Sequence, residues 1–317
     1  MIYAAKNKVI DAYFGDKKVL KMMLGGVEVY ASSLPSYQVD CTFDGVTSDA
    51  PSSVEVGGPL FVTLSGTSGK QVMPWTVVVM MGETDVTSSA YDPSDNTISI
   101  ASVTDDVAIT ASGVTMSSAY KPVEYIQNLS PAAGKRFVTD YYPTDTTEVI
   151  ADVNVMALTN YSGVFGTMTS STPYFALMAR YTGSYGRGWW GNKALETSAF
   201  GTYLAISTRQ TVTMGKGSLS YLPNGGDAYR TLTFDSTVTT PWTSPNVLQI
   251  GGYISGGTTF RGIQLRIYGL QIKEGNTIVR NYVPCQRISD NHVGLYDTIN
   301  NAFLGQYDGN SDWTIPT

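Results

Sequence analysis

The stretch that organises this sequence is EGNTIVRNYVPCQRISDNHVGLYDTINNAF, from Glu274 to Phe303. Its first half predicts a β-hairpin, because Gly275-Asn276 is a favourable two-residue turn and the residues from Ile278 to Val283 are rich in apolar side chains. Proline has no backbone N–H, so the strand is expected to stop at Pro284, before a polar loop. A second apolar run then follows at Gly294 to Asp297. The stretch predicts paired strands and contains no catalytic pattern.

The composition predicts an all-β protein. The chain has 317 residues, of which 42% are hydrophobic and only 15% are charged, with 32 Gly, 14 Pro and 21 Tyr. This balance favours strands and turns, and no long stretch has apolar residues at the helical period of 3.6. The length allows two or three domains, each with its own core.

The charge and the apolar runs exclude several classes of partner. The net charge is −6 and the 20 Lys and Arg residues are scattered, which argues against a nucleic-acid surface. The longest apolar run, around Val77 to Met81, is far shorter than the ~20 residues of a membrane span. Met1 to Ile10 has no signal-peptide pattern, so we expect synthesis in a bacterial cytoplasm. Cys41 and Cys285 are expected to be reduced, partly buried thiols in different domains.

Residues 1–34 contain a ten-residue repeat that predicts an N-terminal β-meander. Tyr3 to Ile10 aligns with Tyr13 to Leu20 and with Met23 to Tyr30, and each unit has a turn before a valine. A few short strands bury too little surface to be stable alone. We therefore expect this module either to anchor and oligomerise the chain or simply to pack on the next domain.

Residues 35–114 predict a small Ig-like β-sandwich. Segments in which apolar and polar residues alternate are separated by turns that contain Gly or Pro. Their number and length fit six or seven short strands. The predicted strands are Tyr37–Phe43, Ser53–Val56, Leu60–Ser65, Thr76–Met81, Thr97–Val103 and Val107–Thr110. The Cys–Trp–Cys set of antibody domains is missing, and the expected role is spacing.

Residues 122–317 predict a larger β-sandwich, after a Ser-rich linker at Gly113 to Pro122. About a dozen strand candidates suit a jelly roll. They include Ile150–Leu158, Gly163–Thr167, Tyr174–Arg180, Gly188–Trp190, Tyr203–Ser207, Gln210–Met214, Tyr229–Phe234, Val247–Gly252 and Arg261–Ile272.

The two ends of this domain resemble the laminin-G-like, concanavalin A-like sandwich modules of bacteriophage virion proteins. The closing match is carried by Val279, Arg280, Tyr282, Val283, Pro284, Arg287, Asp290, Gly294, Leu295, Tyr296, Asp297, Asn301 and Phe303. The opening match is carried by Val123 to Gln127 and by Phe137 to Val149, and it departs from the family pattern at Pro131 to Arg136. In the 35–114 domain, Gly82 to Thr87 and the strands after it resemble Ig-like spacer repeats of phage tail and fibre proteins.

Catalytic chemistry is not indicated. The seven glutamates include no Glu-x-Asp-x-Glu string of the kind that concanavalin-type glucanases carry. His292 is the single histidine and lies in a turn-forming loop, and two distant cysteines cannot complete a zinc site. Gly66 to Gln71 has the wrong spacing and residues for a phosphate loop.

The best local candidate for a ligand site is an aromatic, glycine-rich run. Sugars dock their apolar faces on exposed aromatic rings that are rimmed by amide and carboxylate groups. The candidate glycan-binding residues are Tyr181, Tyr185, Trp189, Trp190 and Asn192. Adjacent tryptophans in a strand face opposite ways, so plain packing of at least one is the competing interpretation. Asp308, Asn310 and Asp312 form a weak calcium candidate or simply a turn; no other cofactor is indicated.

Together these patterns predict a non-enzymatic structural protein of a phage virion. The resemblance implies a fibre, tail or capsid-decoration protein on the virion surface, attached to other virion proteins and binding host-surface or mucosal glycans. The small N-terminal module favours a homo-oligomer, and the resemblance to fibre proteins implies that it is a trimer. A soluble bacterial lectin or carbohydrate-active enzyme is the first alternative, and a capsid stabiliser without a ligand is the second.

Overall fold

A computed structural model of the protein describes residues 13–14, 17–18, 21–24, 27–31, 35–130, 135–167, 173–182, 185–191, 193–196, 204–215, 217–233, 241–255, 259–307 and 313–315. The structure is 60% strand and only 3% helix, which confirms the all-β prediction. The chain divides into two compact units, which are described separately. The first comprises Met1–Thr67 and Thr76–Gly113, and the second comprises Ser68–Trp75 and Val114–Thr317.

The N-terminal strands form two antiparallel pairs. They are β1 (Tyr13–Phe14), β2 (Lys17–Lys18), β3 (Lys21–Leu24) and β4 (Val27–Ala31). Phe14 pairs with Lys17 and Leu24 pairs with Val27, as the second and third repeats predict. The first repeat, Tyr3 to Ile10, lies outside the described residues, and the anchoring role of the module stays a prediction.

Two sheets of short strands form the rest of the first unit. The elements here and in the segment between its two parts are β5 (Ser36–Asp44), β6 (Val46–Ser48), β7 (Ser53–Glu55), β8 (Leu60–Gly66), β9 (Lys70–Val72), a 3₁₀ turn (Pro74–Thr76), β10 (Val78–Met81), β11 (Thr84–Asp85), α1 (Thr87–Ala90), β12 (Tyr91–Asp92), β13 (Thr97–Ile100) and β14 (Val107–Thr115). One sheet has the order β11-β10-β14-β5-β7 and the other β12-β13-β8-β6.

The core of this sandwich follows from the alternation in its strands. In β8, Leu60, Val62 and Leu64 are each at most 3% exposed, whereas the residues between them face solvent. Ile98 on the same sheet and Ile109 on the other are fully buried. Strands β14 and β5 run parallel, from Val107 beside Val39 to Ser112 beside Asp44.

The second unit is a larger sandwich. Its further strands are β15 (Tyr120–Pro122), β16 (Ile126–Asn128), β17 (Phe137–Val138), β18 (Thr147–Ala157), β19 (Ser162–Gly166), β20 (Tyr174–Thr182), β21 (Tyr185–Gly191), β22 (Lys193–Glu196), β23 (Arg209–Gly215), β24 (Ser218–Tyr221), β25 (Arg230–Thr233), β26 (Gln249–Ile250), β27 (Gly252–Ser255), β28 (Thr259–Gly262), β29 (Gln264–Glu274), β30 (Thr277–Arg287), β31 (Val293–Asp297) and β32 (Ala302–Leu304). The predicted strand at Tyr203–Ser207 is not a strand where it is described, since Leu204 and Ile206 make only isolated bridges.

The two main sheets of this unit enclose one core. The first has the order β25-β24-β23-β18-β29-β30-β31-β32, with β15 and β16 added beside β30 and β29, and the second has the order β17-β26-β19-β20-β21-β22. Val153 and Leu265 from the first sheet and Phe165 and Phe175 from the second belong to the same buried cluster. Burial of these apolar faces is the main stabilising term for such a fold.

The predicted linker at Gly113 to Pro122 belongs to the second unit from Val114 onward. Tyr120–Pro122 is strand β15, which pairs with Arg287 to Cys285 of β30. Ser68–Trp75, predicted inside the Ig-like domain, also belongs here, because the Gln71 amide donates to the carbonyls of Ser117 and Tyr120, both at 2.9 Å. The side chain of Met73 packs against a buried cluster that contains Cys285 and Tyr296.

The hairpin predicted in the organising stretch is confirmed, and its proline behaves differently from the prediction. Gly275 has a φ of +59°, and Glu274 pairs with Thr277 across the turn. Strand β30 does not stop at Pro284 but continues to Arg287. Its neighbour on one side changes from β29, last paired at Tyr282, to β15, first paired at Cys285. Pro284 lies at that change, where its missing N–H leaves no ladder bond unmade, while its carbonyl accepts the Val123 N–H at 3.0 Å.

Both cysteines are free, as predicted, but neither is partly buried. Cys41 is exposed on β5 and Cys285 is completely buried in β30. Among the described residues, no helix is long and apolar enough to cross a membrane.

Candidate functional site

The two adjacent tryptophans of the predicted glycan site lie on opposite faces of their sheet. Trp190 belongs to the core between the sheets and is 9% exposed, and Trp189 belongs to a separate cluster on the outer face and is 8% exposed. The prediction that they face opposite ways is confirmed. Trp190 therefore cannot present its ring to a ligand on the outer face. The side chain of Tyr185 and all of Asn192 lie outside the described residues.

The outer-face cluster around Trp189 and Tyr181 is a packed layer. The edge of the Tyr181 ring meets Trp189 with 5.6 Å between centroids, and the Arg187 guanidinium lies 3.4 Å from the centroid of the Tyr181 ring. The hairpin of β27 and β28 supplies the fully buried Tyr253 to the same cluster. Trp189 and Trp190 are therefore both packed within the protein, while Tyr181 is partly buried, and the glycan site as a whole stays a prediction.

The calcium candidates Asp308, Asn310 and Asp312 lie outside the described residues. Within the described part of the chain, no group of three or more His, Cys, Asp or Glu residues is arranged to hold a metal ion.

A pocket of about 310 Å³ lies in the second unit, between Val138–Asp140 near its start and residues from Tyr282 to Leu304 near its end. Its floor and walls come from the end of β17, from β30 and β31, and from β32 with the turn before it. The lining residues are Val138, Thr139, Asp140, Tyr282, Asp297, Asn300, Ala302, Phe303 and Leu304. The volume is at the lower end of the range for small-molecule sites, which suits a ligand the size of one sugar ring.

One guanidinium ties together the two carboxylates of this pocket. Arg280 donates from Nε and Nη2 to Asp140 at 3.0–3.2 Å, and its Nε lies 3.4 Å from Asp297 Oδ2. Arg280 Nη1 donates to the Val279 carbonyl at 2.8 Å. Each nitrogen of Arg280 is therefore engaged within the protein, and its side chain is only 18% exposed.

Asp297 is a structural carboxylate at the base of the pocket. Its side chain is 4% exposed. Oδ1 accepts the backbone N–H groups of Asn281 and Ile299 at 3.1 and 3.0 Å, and Oδ2 accepts Asn300 Nδ2 at 2.6 Å in addition to the contact with Arg280. Three hydrogen bonds and one ion-pair contact thus surround a carboxylate that has roughly four lone-pair sites. Asp297 therefore holds the turn after β31 and leaves Asn300 fixed at the rim.

Asp140 is the accessible carboxylate of the pocket. Its side chain is 75% exposed although Arg280 holds it from one side. A carboxylate that is fixed by a guanidinium and still faces solvent is a preorganised acceptor for donors of a ligand. Asn300 is also exposed, and its side-chain carbonyl is turned to no donor among the described residues.

The donors that line the pocket are mostly engaged. Thr139 Oγ1 donates to the Leu248 carbonyl at 2.8 Å, and one Asn300 N–H goes to Asp297. The Tyr282 side chain is 3% exposed, and burial raises the pKa of its hydroxyl above the ordinary value. The pocket thus offers acceptors more readily than donors.

Four charged residues near the end of the chain form ion pairs within the protein, with Arg280 beside Asp297 and Arg287 beside Asp290. Arg287 pairs with Asp290 at 2.6 Å on the loop that carries His292, whose ring meets Phe303 edge-on. The pocket itself was missed, because Asp140 and Arg280 are 140 positions apart and meet only in the folded sandwich. The sequence feature that could have indicated the pocket is the presence of one aspartate in each family-like segment, Asp140 in Val123–Val149 and Asp297 in Val279–Phe303.

Comparison with known proteins leaves the family of this chain open. No family model matches it, and no curated protein matches its sequence. Among solved structures it is similar to a protein of Bacteroides ovatus ATCC 8483 that is provisionally named a carbohydrate binding protein. The two are 13% identical with a TM-score of 0.38, over 89% of this chain and 96% of the other.

Proposed function

We propose that the protein binds carbohydrate through the pocket between Asp140 and Asp297. The observation that carries this proposal is an exposed carboxylate held by Arg280 at the mouth of a cavity of about 310 Å³, with Asn300 beside it. Sugar hydroxyls donate to such fixed acceptors, and the apolar side of a sugar ring suits the wall formed by Val138, Ala302 and Leu304.

The affinity of one pocket for one sugar ring should be low. A hexose has about 12 non-hydrogen atoms, and at ~0.3 kcal/mol per atom its binding free energy is roughly −4 kcal/mol, or a Kd on the order of 1 mM. Useful adhesion would then require several pockets on one particle or one oligomer, because linked sites raise avidity by ~10²–10⁴.

A glycan array with the full-length chain, followed by titration of the best sugar by ligand-observed NMR, tests the proposal. We expect Asp140→Ala to weaken binding at least tenfold, since it removes the accessible acceptor. Asp227→Ala is the matched control, because Asp227 is an exposed carboxylate of the same unit outside the pocket. Binding that is unchanged in Asp140→Ala would place the sugar elsewhere, and a blank array with no NMR contact would refute the proposal.

Binding without hydrolysis is the function we favour, although two carboxylates in one pocket make a glycoside hydrolase the second candidate. A hydrolase needs one carboxyl group that can donate a proton and a second that can act as base or nucleophile. Asp297 accepts three hydrogen bonds from the protein and contacts Arg280 at 3.4 Å, so its oxygens are occupied and it is poorly placed to reach a substrate. Release of nitrophenol from aryl glycosides by the wild type, and its loss in Asp140→Asn and Asp297→Asn, would favour the hydrolase.

We further propose that this adhesive domain is displayed on a phage virion, as a fibre, tail or capsid-decoration protein. The support is the resemblance of Val123–Val149 and Val279–Phe303 to virion modules, together with the small N-terminal hairpins, which suit attachment to other virion proteins and a homotrimer. A capsid stabiliser without a ligand would share the placement but not the sugar binding. Antibody labelling of intact virions tests the placement, and an unlabelled particle would contradict it.

A further inference from the structure

The pocket carries more negative than positive charge. Asp140 and Asp297 both lie in it, and Arg280 is the one cation in contact with either of them among the described residues. The whole chain is also acidic, with a net charge of −6. A ligand carboxylate or sulfate entering the pocket would approach Asp140, which is 75% exposed.

Arg280 is not placed to reverse this charge. A guanidinium recognises an anion by offering a pair of free N–H groups. The nitrogens of Arg280 already donate to Asp140, to the Val279 carbonyl and towards Asp297, at 2.8–3.4 Å. The side chain is also mostly covered, so an anionic ligand would have to break protein contacts to reach it.

The hydrogen-bonding groups of the pocket also disfavour an anionic ligand. The exposed oxygens of Asp140 and Asn300 accept, whereas the Thr139 hydroxyl has already donated to Leu248. Hydroxyl and ammonium groups satisfy acceptors, and carboxylates do not, because an ionised carboxylate has no donor. A ligand that covers these acceptors without offering them a donor removes their hydrogen bonds to water, which costs free energy.

From these observations, and resting on the proposed function, we propose that the pocket selects neutral or amino hexoses and excludes uronic and sialic acids. Asp140 is the specificity-determining residue, because it accepts from the hydroxyl or ammonium groups of the sugar and repels a sugar carboxylate. Arg280 is a positioning residue that fixes Asp140 and does not touch the ligand.

Two matched sugar series test this selection: glucose, glucosamine and glucuronic acid, and galactose, galactosamine and galacturonic acid. Within each series the ring is kept and the charge changes. Titration of the full-length chain at pH 7 by ligand-observed NMR should show binding of the neutral and amino members of at least one series. The uronic acid of that series should bind at least tenfold more weakly than the neutral sugar. Added salt should reduce this difference, because it screens the charge at the pocket mouth.

The variant Asp140→Asn keeps the shape of the side chain and removes its charge. We expect it to weaken amino-sugar binding at least tenfold and to bring the uronic acid within about threefold of the neutral sugar, while Asp227→Asn leaves the order of affinities unchanged. Circular dichroism of each variant confirms that it is folded. Uronic acid bound as tightly as its neutral partner by the wild type would overturn the charge selection while the carbohydrate function stands. Failure of all six sugars, together with a blank glycan array, would overturn both.

Discussion

Asp290 accepts two hydrogen bonds from the Arg287 guanidinium, at 2.9 and 2.6 Å, in the loop that joins β30 to β31. The hydrogen bond from Arg287 lowers the pKa of Asp290 to about 2, below its ordinary value of 3.8. Because the folded pKa is the lower one, the pair stabilises the fold above pH 3.8, and its contribution is lost as the pH falls through about 2.

Replacing the guanidinium tests this tie directly. In Arg287→Gln we expect the pKa of Asp290 to rise toward 3.8, because the largest cause of its depression is removed. The measurement is the carboxyl ¹³C chemical shift of Asp290 as a function of pH in both proteins. A wild-type pKa near 3.8 would contradict the contact, and Arg209→Gln, whose side chain pairs with Asp152 instead, should leave Asp290 unchanged.

The two cysteines should differ in reactivity. Cys41 is exposed, whereas burial raises the pKa of the Cys285 thiol to about 12, so at pH 8 the folded chain holds little Cys285 thiolate. We expect Ellman's reagent to titrate one thiol in the folded protein and two after unfolding in guanidinium. Cys41→Ser should remove the native reaction and Cys285→Ser should not. Two fast-reacting thiols in the folded wild type would contradict the burial of β30.

Among the elements, the hairpin of β27 and β28 depends on glycines in β19. A Cβ atom at Gly163 would lie 2.5 Å from the ring of Tyr253 and 2.8 Å from the Arg261 carbonyl, so the hairpin would have to move. We expect Gly163→Ala to destabilise the fold by about 1–3 kcal/mol, as overpacking does. Gly269→Ala is the control, since its Cβ would have its nearest neighbour at 3.6 Å. Urea unfolding compares the two, and equal midpoints for both variants would show that the hairpin is not packed on β19.

The elements that were predicted correctly from the sequence are those whose structure is determined by neighbouring residues. The alternation in β8 and the turn at Gly275 are properties of a few neighbouring residues, and the structure has both. The prediction that β30 ends at Pro284 was wrong, because a sequence rule for proline takes no account of the neighbouring strand. The neighbour of β30 changes from β29 to β15 at this point, and that change depends on the tertiary structure. Tyr120–Pro122 was assigned to a linker for the same reason, since its partner β30 is far away in the sequence.

The candidate site was less predictable than the strands. Aromatic residues in a glycine-rich run favour a sugar platform, but the same residues pack equally well, and Trp190 and Trp189 are both buried here. The pocket depends on how two sheets stack, which brings Asp140 of one string to Arg280 of the other. The sequence shows that both family-like segments, Val123–Val149 and Val279–Phe303, are present. It does not show that their charged residues come into contact.

For the whole molecule, the low affinity that we propose for a single pocket makes the oligomeric state decisive for adhesion. The full-length chain should be a trimer, with a mass three times its 34.2 kDa by light scattering, and a chain of residues 35–317 should be a monomer. Both should bind a sugar in solution with the same Kd per chain, because the pocket lies in residues 138–304. On a glycan-coated surface the full chain should bind ~10²-fold more tightly, since its second and third contacts are intramolecular.

A monomeric full-length chain would contradict the role given to the N-terminal hairpins, and a trimer that gains nothing on the surface would show that its pockets cannot reach one surface together.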